Sequence, residues 1–337
     1  ESLKTDFSTL DQLCESVDFN EDQKKALKEF SSKANLNKNE KRLVDNILNN
    51  KVLSIDSTEN KTEEINVDKT DSLESILDEL NSLIGLDDVK AEIESLINFI
   101  KIQKEREKSG LKSSSLSYHL VFTGNPGTGK TTVARIVARI YKHLGILKEG
   151  QLIETDRSGL VGEYTGQTAI KTNKTVNSAL NGVLFVDEAY SLVGENKDDY
   201  GKEAVATLIK RMEDDRDKLV LIIAGYTNEM KSFIDTNPGF QSRFNRYIEF
   251  PDYSAEDLLR IFKSKCEKLD YKLTETAELK LREKFEDAYS NRNKSFGNGR
   301  YARNIFEKTL EKQANRISKE SNITKEILIT IEEYDIV

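Results

Sequence analysis

Apolar residues recur every three or four positions in the first fifty residues of the chain. Leu10, Leu13 and Val17 fall on one face of a predicted helix, and the same spacing returns before residue 50. We therefore predict a small helical region over residues 1–53. Residues 54–72 carry six acidic and two basic side chains and no aromatic one, so they bury too little apolar area to offset the entropy of ordering. This segment is predicted to be an acidic linker.

From residue 73 the pattern changes to short apolar segments that alternate with helical sequence, beginning with a helix predicted over 87–108. Short, nearly continuous apolar strands separated by helices indicate a mostly parallel sheet that is covered by helices on both faces. We therefore predict one α/β domain over residues 73–253. Its predicted strands span residues 118–124, 151–156, 183–189, 218–225 and 246–251.

The strand pattern nearly stops after residue 253. Ser254 and the two acids that follow it have the character of a helix start. Three amphipathic segments come next, near 254–269, 274–290 and 299–319. The chain is therefore predicted to end in a small helical domain over residues 254–337.

The composition of the chain argues against several classes of protein. The 337 residues include 51 Lys and Arg against 59 Asp and Glu, a net charge of −8, which argues against non-specific binding to nucleic acid. Cys14 and Cys266 lie far apart and belong to no Cys/His cluster, so neither a zinc site nor a disulfide framework is expected. We find no apolar run long enough to span a bilayer and no signal peptide, and we expect a cytoplasmic protein without membrane insertion.

The segment GNPGTGKT, residues 124–131, follows a predicted strand and precedes a predicted helix. This is the context in which a glycine-rich loop wraps its N–H groups around phosphate oxygens at a helix N-terminus. Lys130 is expected to reach the β- and γ-phosphates, and the Thr131 hydroxyl to ligate Mg²⁺. The residues predicted to contact the nucleotide here are Asn125, Pro126, Gly127, Thr128, Gly129, Lys130, Thr131 and Thr132.

A second motif, VLFVDEA, places two acids at the end of a buried strand. Asp187 lies at the carboxyl end of that strand, where open α/β sheets bind ligands, and is predicted to hold Mg²⁺. Glu188 beside it is predicted to polarise an attacking water, so the pair suits hydrolysis. The alternative is two solvated acids at a strand end, but the phosphate loop in the same sheet favours the first interpretation.

Eight motifs lie in order between about Leu83 and the C-terminus: IGLDDVK, GNPGTGKT, LVGEYTGQT, GVLFVDEAYSL, IIAGYTNEM, NPGFQSRF, IEFPDYS and GNGRYARNIFE. In these motifs the chain resembles the AAA+ ATPases, specifically the branch containing CbbX, stage V sporulation protein K and the type VII secretion ATPases. The resemblance implies the AAA+ P-loop NTPase fold with a C-terminal helical lid, ATP and Mg²⁺ as cofactors, and assembly into a homo-oligomeric ring, expected to be a hexamer.

The resemblance implies further roles on both sides of the nucleotide. Ile84 and Gly85, in IGLDDVK, would pack nearest the adenine. SRFNR is similar to the family's arginine-finger region, so Arg243, and with it Arg246, would reach the γ-phosphate held by the neighbouring subunit. The alternative for Arg243 is a surface arginine that pairs with nearby acids.

Two sensor positions follow in the same way. GNGRYAR resembles the sensor 2 region, where Arg300 is favoured for the γ-phosphate contact over Arg303, three residues later on the same helix face. Sensor 1 departs from the usual pattern, because the strand ends in AGYTNEM; Thr227 or Asn228 could take this role, and we assign it to Asn228.

LVGEYTGQT resembles the loop that AAA+ unfoldases project into their central pore. Tyr164 would grip an extended polypeptide, with Val161 as a secondary contact, while the glycines let the loop move. The alternative is that Tyr164 packs on its own subunit.

Together these features predict a Mg²⁺-dependent ATPase ring that remodels or threads a protein client, which the sequence does not identify. Two alternatives stay open: an ATP-gated assembly or scaffold component of a secretion or sporulation machine, and a DNA-associated initiator or loader. The acidic balance of the chain disfavours the last.

Overall fold

In the computed structural model, every described residue belongs to one compact unit, Asp68–Val337. The predicted helices of residues 1–53, and the predicted linker apart from Ser72, lie outside the described residues. The structure describes residues 72–112, 117–164, 166–193 and 200–337.

A five-stranded parallel sheet forms the centre of the α/β domain, as predicted. Its strand order is β2-β3-β4-β1-β5, so β4 lies between β1 and β3. Thr123 of β1 pairs with Gly225 of β4, and Val186 of β3 pairs with Ile223 of the same strand. The strands are β1 Leu120–Gly124, β2 Leu152–Thr155, β3 Gly182–Val186, β4 Leu219–Gly225 and β5 Arg246–Phe250.

Helices cover both faces of this sheet. Side chains alternate between faces along a strand, so Phe122 belongs to one buried cluster and Val121 to the other, and both are fully buried. This double burial explains why the strands read as continuous apolar runs. The helices are α1 Leu73–Ser82, α2 Asp87–Lys108, α3 Lys130–His143, α4 Arg157–Leu160, α5 Gln167–Ser178, α6 Tyr200–Asp214, α7 Thr227–Asp235 and α8 Pro238–Gln241, with a 3₁₀ turn at Ala189–Leu192.

The first helix of the lid begins after Ser254, the helix start that the sequence predicted. The Ser254 side chain accepts a hydrogen bond from the Asp257 N–H at 3.1 Å, and the Asp257 carboxylate accepts one from the Ser254 N–H at 3.3 Å, which makes a capping box. A two-stranded parallel sheet and a fourth helix add to the three predicted helices. The lid comprises α9 Ala255–Lys268, β6 Lys272–Leu273, α10 Glu275–Ser290, α11 Asn298–Ile317, α12 Lys325–Ile329 and β7 Thr330–Ile331, and ends in a 3₁₀ turn at Glu333–Asp335.

An ion pair ties the end of the chain to the lid. Asp335 is 1% exposed and accepts hydrogen bonds from Arg316 Nε at 3.0 Å and from an Nη of the same guanidinium at 2.8 Å. A buried carboxylate needs such partners, because an unpaired charge away from water is strongly unfavourable. In the part of the chain that the structure describes, no helix is long and apolar enough to cross a membrane.

Candidate active site

A cavity of about 800 Å³ opens at the carboxyl ends of the sheet strands and is bounded on its other side by the lid. The sheet domain contributes the segment before α2, the phosphate loop and the ends of β3 and β4, while the lid contributes faces of α9 and α11. Among the predicted site residues, those that line it are Ile84, Pro126, Gly127, Gly129, Lys130, Thr131, Thr132, Asp187, Glu188, Arg300 and Arg303.

The phosphate loop connects β1 to α3 and depends on glycine at two close approaches. Gly124 has φ +141°, and a Cβ there would lie 2.2 Å from the Phe250 carbonyl oxygen. Gly127 has φ +73°, and a Cβ there would lie 2.3 Å from the Gly297 carbonyl oxygen of the lid. Thr128 is fully buried and donates its hydroxyl proton to the Asn125 carbonyl at 2.9 Å, which closes the loop from inside. The described lining of the cavity includes neither Asn125 nor Thr128. Their hydrogen bond stabilises the loop from inside the protein.

Lys130 begins α3 and folds back over the loop. Its Nζ donates hydrogen bonds to the carbonyl oxygens of Gly124 and Asn125, both at 2.8 Å. Its pKa is lowered to about 8, chiefly by burial; the Asp187 carboxylate opposes this shift, and the nearby charge of Arg300 adds to it. The ammonium group is therefore mainly protonated at neutral pH, and a bound phosphate would add negative charge beside it.

The two acids follow β3 directly. The Asp187 N–H donates to the Thr155 carbonyl at 2.8 Å, which continues the β2–β3 pairing by one residue. Glu188 then adopts φ +47° and ψ +43°, a left-handed conformation that is uncommon for a side-chain-bearing residue and often marks functional sites. This bend ends the strand earlier than the predicted residue 189 and leaves Glu188 exposed in the cavity.

The oxygen atoms needed for Mg²⁺ are available from Thr131 and Asp187, which both line the cavity. Mg²⁺ keeps several waters and takes only one or two protein ligands besides phosphate oxygens, so a hydroxyl and a carboxylate fit it. Among the described residues, we find no group of three or more His, Cys, Asp or Glu side chains that could hold a metal ion.

Leu83, Ile84 and Ile261 of α9 all line the cavity, and Ile84 is one of the two residues expected next to the adenine. Gly85 is not part of the described lining. It has φ +62°, and a Cβ there would come within 3.2 Å of the Asp257 carboxylate at the start of α9, so it packs against the lid.

The sensor 1 prediction concerns the residues that follow β4. Asn228 and Thr227 are exposed in the first turn of α7, and the described lining of the cavity includes neither. Tyr226 lines it instead, because β4 lies between β1 and β3 and this residue directly follows the strand. Its ring lies 6.0 Å from that of Tyr190, whose pKa is raised to about 12 by burial and then by the charge of Glu188.

Sequence reasoning missed several other lining residues. Arg135 of α3 forms an ion pair with Glu154 of the edge strand β2, and both face the cavity. Lys265 and Lys268 contribute positive charge from α9. Of these residues, Arg135 has a signal in the sequence, because it follows Thr131 by one helical turn on the same face of α3.

Arg243 and Arg246 lie away from this cavity in the described part of the chain. Arg243 follows α8; its guanidinium donates to the Gly239 carbonyl at 3.1 Å and lies 3.3 Å from a Glu213 carboxylate oxygen. The guanidinium of Arg246 lies 5.6 Å from the centre of the Phe99 ring. In the single chain, neither arginine reaches the nucleotide site of its own subunit.

The loop between α4 and α5 also lies apart from the cavity. Tyr164 is 66% exposed, so its ring does not pack into the described core of its own subunit. Val161 is half-buried, and its carbonyl accepts a hydrogen bond from Lys171 Nζ at 3.2 Å. The Gly162 N–H donates to the buried Thr168 hydroxyl at 3.0 Å, which anchors the base of the loop.

Models of known protein families match both domains of the chain. The model of the family "ATPase family associated with various cellular activities (AAA)" matches residues 120–252, and that of the "AAA lid domain" matches residues 254–337. In fold, the chain is similar to the crystal structure of the FIGL-1 AAA domain in complex with ADP, with a TM-score of 0.53, 16% identity and coverage of 75% of this chain and 80% of that one.

Two curated relatives are much closer in sequence. Stage V sporulation protein K of Bacillus subtilis is 42% identical over 265 residues, which cover 78% of this chain and 82% of that protein. The chloroplastic ribulose bisphosphate carboxylase/oxygenase activase of Cyanidioschyzon merolae is 42% identical over 272 residues, covering 80% of this chain and 92% of the relative. The chain therefore belongs to the AAA+ ATPase family, and it is an ATP-hydrolysing enzyme of the branch that includes stage V sporulation protein K.

Proposed function

We propose that this ATPase works as a Mg²⁺-dependent ring of six subunits that remodels a protein client in its central pore. Each active site is completed by Arg243 of the neighbouring subunit. The observation that carries the proposal is the separation of the catalytic groups: Lys130, Asp187 and Glu188 share a cavity, whereas Arg243 lies on another part of the surface.

Within the cavity, each residue has a distinct task. Glu188 accepts a proton from the attacking water, for which its exposed carboxylate is suited. Lys130 leaves the loop carbonyls and binds the β- and γ-phosphates. Thr131 and Asp187 would hold Mg²⁺, which neutralises phosphate charge when bound. The phenolic hydroxyl of Tyr226 takes the sensor 1 role, as a donor at the end of the strand between the phosphate loop and the acids.

The lid completes the site from the other side. Arg300 binds the γ-phosphate, and this proposal is supported by the influence of its charge on Lys130. Arg303, one turn later, lines the same cavity and is the second candidate. Loss of the γ-phosphate would release Arg300 and let the lid rotate relative to the sheet domain.

Arg243 has an environment that suits a group delivered to another subunit. Its ion pair with Glu213 is at the surface, where such pairs contribute little and are easily exchanged. Its Nε lacks a hydrogen-bond partner in the described structure. A phosphate of a neighbouring subunit would supply both charge and acceptors, and an arginine added in this way can raise turnover by several orders of magnitude.

The exposed Tyr164 supports a protein client. A ring that is 66% exposed on a loop with glycines on either side offers a sequence-tolerant apolar contact to an extended polypeptide. One relative is named as an activase of another enzyme, so action on a protein has a precedent in this branch.

The proposal is tested by ATPase assays over a range of protein concentrations. Specific activity should rise with concentration as rings assemble, and Arg243→Ala should lower kcat by at least a hundredfold without loss of ATP binding. Arg216→Ala is the matched control, because Arg216 also pairs with Glu213 but is exposed. Specific activity that is independent of dilution, together with an active Arg243→Ala variant, would refute a shared site.

A further inference from the structure

Three polar side chains join the phosphate loop to the lid; we call Asn125, Asp252 and Asn298 the clamp. Asn125 Nδ2 lies 2.9 and 3.1 Å from the two carboxylate oxygens of Asp252. Asn298 Nδ2 donates to one of the same oxygens at 2.7 Å, and Arg292 Nε lies 3.5 Å from the other. The Asp252 carboxylate, in the segment between β5 and α9, therefore holds one amide from each domain.

Asn298 is the most constrained member of the clamp. It is fully buried, and its φ of +49° is left-handed, a conformation that favours glycine and, among side-chain-bearing residues, asparagine. Its Oδ1 accepts from the Tyr253 N–H at 2.8 Å, and its Nδ2 also lies 3.3 Å from the Pro126 carbonyl. The polar atoms of this side chain thus contact the inter-domain segment and the phosphate loop, and Nδ2 also donates to the Phe296 carbonyl of the lid at 3.1 Å.

The main chains of the loop and the lid also touch at this point. The Gly299 N–H donates to the Gly127 carbonyl at 3.0 Å. A Cβ on Gly127 would lie 2.3 Å from the Gly297 carbonyl oxygen, so there is no space for a side chain between them. The first turn of α11 is therefore seated directly on the phosphate loop.

The position of Arg300 depends on this contact between the first turn of α11 and the phosphate loop. Arg300 follows Asn298 by two residues in the first turn of α11, and its side chain enters the cavity next to Lys130. If the turn moved away from the loop, Arg300 would leave the phosphate site with it, because the helix carries the arginine as a rigid body.

We propose that Asp252 and Asn298 are positioning residues for ATP hydrolysis, which clamp the first turn of α11 to the phosphate loop and so place Arg300 at the terminal phosphate of the nucleotide. This inference rests on the proposed role of Arg300. It also gives a role to Asp252 in IEFPDYS and to Asn298 in GNGRYARNIFE, two motifs in which the chain resembles the AAA+ ATPases.

The test measures the preference for ATP over ADP, as the ratio of the two dissociation constants, in the full chain with Mg²⁺. Asn298→Gly removes the amide but tolerates the left-handed backbone, so it separates the contacts from strain. Loss of the clamp bonds should reduce the preference about tenfold, to the value of Arg300→Ala. The double variant Asn298→Gly/Arg300→Ala should show no further reduction, because both changes remove the same contact.

Three further variants keep the test independent of folding. Asn315→Gly changes the same residue type on an exposed part of α11 and should retain the preference of the unmodified protein. Asn298→Asp keeps the size of the side chain but sets a carboxylate against Asp252, and it should weaken ATP binding more than Asn298→Gly does. Adding Asp252→Asn should recover at least part of that loss, since a donor again faces an acceptor.

The outcomes separate the clamp from the role of Arg300. If Arg300→Ala reduces the preference but folded Asn298→Gly leaves it unchanged, the clamp is refuted and the role of Arg300 stands. If the effects of Asn298→Gly and Arg300→Ala multiply, the two residues act independently and the clamp is again refuted. If Arg300→Ala itself has no effect on the preference, the proposed role of Arg300 fails, and the clamp fails with it.

Discussion

ATP binding should weaken as the pH rises above 8, because it depends on the charge of Lys130. Burial in the cavity lowers the pKa of this amine to about 8, well below the usual 10.5 of lysine. The charged form is therefore lost between pH 7 and pH 9 in the free protein. Bound phosphates add negative charge beside Lys130 Nζ and restore a high pKa, so binding takes up a proton wherever the free amine is neutral.

The size of the pH effect on ATP binding follows from this single pKa. With a value of 8, the free amine is about 90% protonated at pH 7 and about 10% protonated at pH 9. Binding should therefore take up about 0.1 proton at pH 7 and about 0.9 proton at pH 9, and the dissociation constant should rise about tenfold over that interval. The sign is that of a base with a depressed pKa: affinity is highest at low pH and falls as pH rises.

Isothermal titration calorimetry measures this uptake directly, from the difference in binding enthalpy between buffers of different ionisation enthalpy. Lys130→Met is the control, since it keeps an apolar chain of similar length but has no titrating amine, and its weaker binding should be free of this proton uptake. If the unmodified protein binds ATP at pH 9 without taking up protons, Lys130 is not the electrostatic contact that we describe.

Three other predictions concern separate parts of the molecule. Asp335→Ala should lower the free energy of unfolding by about 3 kcal/mol in chemical denaturation, because it leaves the half-buried Arg316 without its partner; unchanged stability would contradict a structural role. Tyr226→Phe should lower kcat about tenfold in ATPase assays, whereas Asn228→Ala should stay within twofold; the reverse order would restore Asn228 as sensor 1. Tyr164→Ala should keep basal ATPase activity within twofold but abolish its stimulation by an unfolded polypeptide such as casein, and retained stimulation would argue against a pore contact.

Much of the fold was predictable because its signals are local. The strands around Phe122 and Val186 are buried on both faces, so their apolar runs stand out between helical segments. The start of the lid at Ser254 was equally visible, since a capping box depends on residues three apart. The phosphate loop combines a local motif with a required strand and helix, and both lie where they were expected.

The missed features depend on contacts between distant residues or on very short elements. The two-residue strands β6 and β7 are too short to show any periodicity. The contact of Asn298 with Asp252 joins residues 46 positions apart, and no local pattern announces it. Sequence reasoning placed the end of β4 at Gly225, where the structure has it, but it did not single out Tyr226, which lines the cavity directly after the strand.

The central claim is that each active site is shared by two subunits, and mixing two inactive variants tests it most directly. Glu188→Gln lacks the catalytic base but keeps Arg243, and Arg243→Ala lacks the arginine but keeps Glu188. In a mixed ring, a site of an Arg243→Ala subunit next to a Glu188→Gln subunit contains both groups, so ATPase activity should reappear on mixing and reach its maximum near equal proportions. If the mixture stays as inactive as its two components although mixed oligomers form, the site is not shared through Arg243.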